Sequence, residues 1–119
     1  MTIQKLSAQE PFTTADGSTI RSILDTTNAP VREQSLAEAQ VPAGGATQRH
    51  YHKASEEIYF MLEGAAEIEI DGDTREIVPG DAVLIPAGAW HQISAPKGEP
   101  LRFLCCCSPP YSHEDTFFE

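Results

Sequence analysis

Positive charge is scarce in this chain. Eight Lys and Arg stand against eighteen Asp and Glu among 119 residues, for a formal net charge of −10. The basic residues are dispersed, with no cluster to neutralise phosphates, which argues against nucleic acid and anionic membrane as partners. Long apolar runs are missing too, and the opening MTIQKLSAQEP lacks the hydrophobic centre of a secretory signal. A soluble, cytoplasmic protein is therefore expected. Cysteine is confined to Cys105, Cys106 and Cys107. Adjacent thiols on a strand point to opposite faces and are badly placed to bridge, so reduced thiols are the simpler account. Their plain role is as small buried hydrophobes; the sharper one is that a thiol of this run lines a functional cavity.

What is abundant is punctuation. Nine prolines and eight glycines separate short apolar runs, a pattern of many turns and short strands in one domain. Asp16–Gly17 and Asp71–Gly72 each read as the turn of a β-hairpin. Around the second, residues 67–70 and 74–78 form the arms, with Ile68 and Ile70 inward and Glu67 and Glu69 solvated. Further strands are expected at 47–52, 57–62, 83–86, 90–95 and 101–107. The spacing implies an all-β sandwich or barrel. Strand 57–62 is apolar on both faces, so its outer face, Ile58, Phe60 and Leu62, calls for a cover, either N-terminal strands or a second subunit. Residues 31–41 are ambiguous: Glu, Gln, Ala and Leu favour a helix by propensity, yet Ala37, Ala39 and Val41 also share a face at strand spacing.

Three of the four histidines fall in two clusters, His50–Tyr51–His52 followed by Glu57, and His91. His50 and His52 share one face of a strand. Glu57 has the opposite parity, so residues 53–56 must form a turn or bulge that resets the phase. Neutral imidazoles suit Fe, Ni, Cu and Zn, and a carboxylate admits Mn. His50, His52, Glu57 and His91 are thus the candidate ligands of one divalent transition metal, with Fe, Mn, Ni, Cu and Zn all open. Glu56 is the rival carboxylate; Glu57 is preferred because it shares parity with Tyr59 and Met61, which also look inward.

The stretches HYHKASEEIYFMLEG from His50 to Gly64 and PGDAVLIPAGAWH from Pro79 to His91 resemble, in order and spacing, the two conserved motifs of the cupin superfamily. With the hairpin between them they span roughly residues 44–95. One departure is Ala95, where the second motif often ends in Asn; Asn is not a ligand in that pattern, so the metal set is intact. The resemblance implies a single-domain jelly-roll, or double-stranded β-helix, with N-terminal strands over 1–41, the conserved barrel over about 42–108 and a tail over 109–119. It makes 31–41 a strand and implies a homodimer.

An octahedral metal with these ligands keeps exchangeable positions, the mark of a catalytic rather than a structural ion. The resemblance then implies a metal-dependent enzyme on a small oxygenated molecule, with dioxygenase-type oxidoreductase chemistry ahead of an isomerase, lyase or decarboxylase. A non-catalytic module for a small ligand or metal is the alternative from another class, and a storage or structural role is the third. Gln48 and Tyr59 are candidate catalytic residues beside the metal, because Gln48 shares the histidine face and Tyr59 that of Glu57. The expected cavity is mostly apolar, lined by residues such as Met61, Ile93 and Phe103. Arg49 and Trp90 are expected to point away from it. The tail, with Phe117 and Phe118, is expected to fray unless those rings dock, for instance on a partner subunit.

Overall fold

The computed structural model describes residues 1–13 and 18–119. Eleven strands follow one another: β1 Phe12–Thr13, β2 Thr19–Leu24, β3 Ser35–Val41, β4 His50–His52, β5 Glu56–Glu63, β6 Ala66–Ile70, β7 Asp73–Ile77, β8 Ala82–Ile85, β9 His91–Ser94, β10 Leu101–Ser108 and β11 Thr116–Phe118. They form two antiparallel sheets, one ordered β1-β2-β3-β10-β5-β8 and the other β11-β4-β9-β6-β7. The result is a jelly-roll barrel. Two single turns of 3-10 helix, Leu6–Ala8 and His113–Asp115, are the only helical pieces among the described residues.

Alternation decides which residues enter the barrel. Along β5, Glu57, Tyr59 and Met61 are buried while Glu56, Ile58 and Phe60 are exposed. Along β10, Leu101, Phe103 and Cys107 are buried on the same principle. Met61, Ile93, Phe103, Ile85, Leu101 and Val41 are the largest fully buried apolar side chains and fill the space between the sheets. Residues 31–41, divided between helix and strand by composition, become β3, with Ala39 opposite Phe103 and Ala37 opposite Cys105. β3 is paired with β10 on one side and β2 on the other, and that tertiary pairing outweighs helix propensity.

The Asp71–Gly72 hairpin forms as expected, with both residues at positive φ, 48° and 88°, the backbone a tight two-residue hairpin turn requires. Ile68 is buried, but Ile70 and Glu69 are both half-buried; Glu69 is drawn in by Arg49 at 2.6 Å. The turn expected at Asp16–Gly17 lies outside the described residues; the strands flanking it pair antiparallel, Thr13 opposite Thr19. Gly64, which closes the first motif, has φ 83°, and a Cβ there would lie 2.3 Å from the Pro100 carbonyl oxygen. Only glycine fits.

Two expectations need correction. The N-terminal strands do not cover the outer face of β5. They extend the edge of the same sheet, so Ile58 and Phe60 remain exposed. The tail does not fray. Its last strand, β11, pairs with β4, placing Thr116 opposite His52 and Phe118 opposite His50. Phe117 stacks on Tyr51 with ring centroids 5.1 Å apart, and the Asp115 carboxylate accepts the Ala54 and Ser55 N–H groups. The docking surface for the phenylalanines is this chain's own metal-motif strand.

Candidate metal centre

The histidines come from one sheet and the carboxylate from the other. His50 on β4 sits opposite His91 on β9, with ring centroids 4.2 Å apart, and His52 follows two residues on. Glu57 faces them from β5. The bend at residues 53–54 supplies the phase reset that their parity demands. A hydrogen bond from the Gly88 N–H to the His52 carbonyl, 2.7 Å, ties the second-motif loop to β4. The Asp71 main chain and side chain grip the Trp90 backbone from the hairpin tip, holding the residue before His91. Ligand-capable atoms of His50, His52, Glu57 and His91 all lie within 4.8 Å of one another. Glu56 is exposed and takes no part.

The tautomers of the three imidazoles follow from their outer partners. His50 Nδ1 lies 2.7 Å from the Gln48 carbonyl and His91 Nδ1 lies 3.0 Å from the Ala89 carbonyl, so both Nδ1 atoms donate. His52 Nδ1 lies 3.1 Å from the Thr116 hydroxyl oxygen. That hydroxyl spends its own proton on the Ser112 carbonyl at 3.0 Å, leaving its oxygen to accept from His52. All three Nε2 atoms therefore carry lone pairs. Two of them, on His52 and His91, lie 3.2 and 3.5 Å from the same Glu57 oxygen, Oε1. Glu57 Oε1 and His91 Nε2 are buried with no hydrogen-bond partner. Lone pairs converging in a buried space repel unless a cation lies among them, so these residues fit a divalent metal.

Protonation supports the same reading. Burial, with the nearby His91 adding to it, pushes the His50 imidazole down to about 4, so it is neutral and able to ligate near neutral pH. Glu57 Oε1 faces the His52 and His91 rings. Its second oxygen, Oε2, accepts the Cys107 thiol at 3.2 Å. Burial first, then the Glu57 charge, push that thiol far above its ordinary value, so Cys107 stays protonated as a donor. A cysteine does line the cavity, and it acts as the carboxylate's support.

A cavity of about 420 Å³ opens above this cluster, with His50, His52, Glu57, Tyr59, Phe103 and Cys107 on its walls. Met61 and Ile93, expected on its lining, instead pack in the core, where neither is reached by solvent. Tyr59 is buried against Phe103, with ring centroids 4.7 Å apart, and its ring lies 6.0 Å from that of His91. Gln48 meets the site through its main-chain carbonyl, while its side-chain amide donates to the Glu119 carbonyl at 3.5 Å. Arg49 and Trp90 lie on the outer side as expected, the guanidinium 5.2 Å from the indole centre and paired with Glu69 and Glu119.

Sequence reasoning gave Thr116 no role beside the metal, and offered only that one thiol of residues 105–107 lines the metal cavity, without naming Cys107. Thr116 lies 64 positions from His52, in a segment with no motif. Removing the acceptor behind a metal-binding imidazole typically weakens the metal by about 10–100-fold. Thr116→Val should therefore lower metal affinity by roughly tenfold or more, whereas Thr116→Ser should retain it. Competition with a chromophoric chelator measures both; equal affinity in Val and parent chains would remove Thr116 from the site.

With this geometry in place, similarity to known proteins becomes informative. A family model for the cupin domain matches residues 37–107, and the chain belongs to the cupin family. An uncharacterized protein of Methanocaldococcus jannaschii is 46% identical over 107 residues, covering 90% of this chain and 86% of that one. Among solved structures, the polyketide cyclase RemF of Streptomyces resistomycificus has a TM-score of 0.78 at 26% identity, covering 97% of this chain and 89% of that one. Oxalate decarboxylase of Bacillus subtilis has a TM-score of 0.82 at 22% identity, covering 99% of this chain but 33% of that one. No helix among the described residues is long and apolar enough to cross a membrane.

Proposed function

We propose that this cupin is a metal-dependent enzyme acting on a small oxygenated molecule, with His50, His52, His91 and Glu57 holding one divalent transition metal. The observation that carries this reading is the convergence of these donors, two of them with orphaned buried atoms, beneath a cavity of ligand size. A metal bound there would supply Lewis-acid polarisation of a substrate oxygen, and electron exchange if it is iron, manganese or copper.

The chain's own residues do the rest. The carbonyls of Gln48 and Ala89 and the Thr116 hydroxyl hold the imidazole protons away from the centre, and the Cys107 proton holds Glu57 Oε2 so that Oε1 faces inward. The apolar wall of Phe103 and Ala39 excludes water from the substrate. Tyr59 lies on the same wall, and in this proposal its phenol donates a hydrogen bond to substrate, with Gln48 also on the wall.

Dioxygenase-type oxidation is one reaction class for such a site. The other is non-redox chemistry of the isomerase, lyase or decarboxylase kind, which the 26% identity to a polyketide cyclase over nearly the whole chain supports. Turnover with the zinc form under argon would establish the second class, and turnover only with iron and oxygen the first. In either case Tyr59→Phe should lower kcat by about 100–10,000-fold, the range for a positioned proton donor, with metal content unchanged. A variant at full kcat would exclude Tyr59 from the reaction. A non-catalytic module would instead bind the same ligands and form no product with any metal, aerobically or not.

Two further points belong to the proposal. Three free cysteines in one strand suit a reducing compartment, which supports a cytoplasmic location. The exposed apolar face of β5 and β8 supports a homodimer.

A further inference from the structure

None of the chain's eight basic side chains reaches the cavity. Arg21 and Arg102 are paired with Glu38, Arg49 with Glu69 and Glu119, Arg75 with Asp73 and Lys97 with Glu76. Lys5, Arg32 and Lys53 are exposed elsewhere on the surface. Outside the proposed ligands, the ionisable base on the described wall is His113, which is solvent-exposed at the rim.

Among the described residues, the acidic groups on the cavity wall are Glu57 and Asp25. Asp25 is buried, and its carboxylate accepts the Thr27 N–H at 2.8 Å and the Thr27 hydroxyl at 2.5 Å. Burial alone would raise this carboxyl, but hydrogen bonds from Thr27, Ser22 and Asn28 together outweigh it and hold it below its ordinary value. Apart from a divalent ion, the described wall therefore offers negative charge and no positive side chain but the exposed His113. Any carboxylate or phosphate that a ligand carries away from the metal would be desolvated without a cation to meet it, at a cost of several kcal/mol by the usual scale for a buried unpaired charge.

The walls show what is accommodated. Tyr59 and Phe103 are buried deep in the cavity, and three aromatic rings border it at the surface. Phe12, Tyr111 and Phe118 are 46, 38 and 48% exposed, so none of the three is used up in the core. Exposed apolar rings gathered at one opening mark a binding surface rather than scattered surface hydrophobes. They come from β1, the segment before the second 3-10 turn, and β11, so the N-terminal hairpin and the C-terminal tail build the mouth jointly.

We infer that the site selects an uncharged, ring-bearing molecule that chelates through adjacent oxygens, and rejects ligands bearing a further carboxylate or phosphate. This inference rests on the metal-site reading above and adds the substrate class. A matched pair of catechols separates the two, because the chelating head is constant and only the charge of the tail changes. The zinc-loaded full chain, with zinc measured on the same sample, is titrated calorimetrically with 3,4-dihydroxyphenylacetamide and with 3,4-dihydroxyphenylacetate.

The neutral tail is expected to bind at least tenfold more tightly. Thr13→Lys, at an exposed position on the cavity wall, supplies the missing cation and should narrow the gap to less than threefold. Equal or tighter binding of the carboxylate tail by the parent chain overturns the inference, as does failure of both catechols to bind a zinc-replete sample, which leaves the metal reading standing. A chain that takes up no zinc overturns the metal reading itself, and the substrate class falls with it.

Discussion

The His52→Ala and His91→Ala variants are expected to purify with less than about a tenth of the metal carried by the parent chain, because losing a ligand exceeds the roughly 10–100-fold effect of losing only its outer partner. His91 is fully buried and its Nε2 has no hydrogen-bond partner in the protein, so its lone pair has no other assignment. His52 shares Glu57 Oε1 with it at 3.2 Å, and Thr116 presents its lone pair inward. Removing a buried ring also leaves a void and costs stability. His91→Gln, closer in volume, guards against mistaking unfolding for metal loss, and circular dichroism checks that each variant is folded. Elemental analysis of protein purified without a histidine tag gives the readout. Full occupancy in both alanine variants would show the ligand assignment to be wrong.

How legible this centre was depends on which interactions are local. Parity along one strand separates Glu57 from Glu56, and the structure buries the first while exposing the second. Gly64 and the Asp71–Gly72 turn are readable because their backbone conformations admit few residues. Spacing could not reveal that β11 returns to pair with β4, because nothing in residues 109–119 marks its partner. Thr116 was missed for that reason, although it sets the tautomer of His52. One thiol of the 105–107 run was weighed as a cavity residue, but which one, and its bond to Glu57, depend on the pairing of β10 with β5, where Cys107 lies directly opposite Glu57. Met61 and Ile93 were expected on the cavity wall because alternation separates inward from outward and cannot separate the filled part of a barrel from its open end. The same limit applies outside the barrel: periodicity marked Ile58 and Phe60 as needing a cover without saying that β1 and β2 would join the far edge of the same sheet.

That uncovered face leads to the second large effect, dissociation of a homodimer. Ile58, Phe60 and Leu84 are 43, 40 and 57% exposed. Pairing aligns them in rows across three strands, Cys106 beside Ile58 beside Leu84, and Leu104 beside Phe60 beside Ala82. A contiguous apolar sheet face is costly to leave in water, and a two-fold interface between copies covers the same patch on each. Burying one Phe contributes about 1.5–3 kcal/mol, and a two-fold interface counts it twice. Phe60→Asp adds a charge to that loss and should weaken association by roughly a hundredfold or more. Metal content should not change, because Phe60 points away from the face that carries Glu57 and Tyr59. Sedimentation at micromolar concentration is expected to show the parent chain at twice its 13.0 kDa mass and the variant as monomer. A parent chain that sediments as a single 13.0 kDa species would sink the dimer, and the apolar face would then need another explanation.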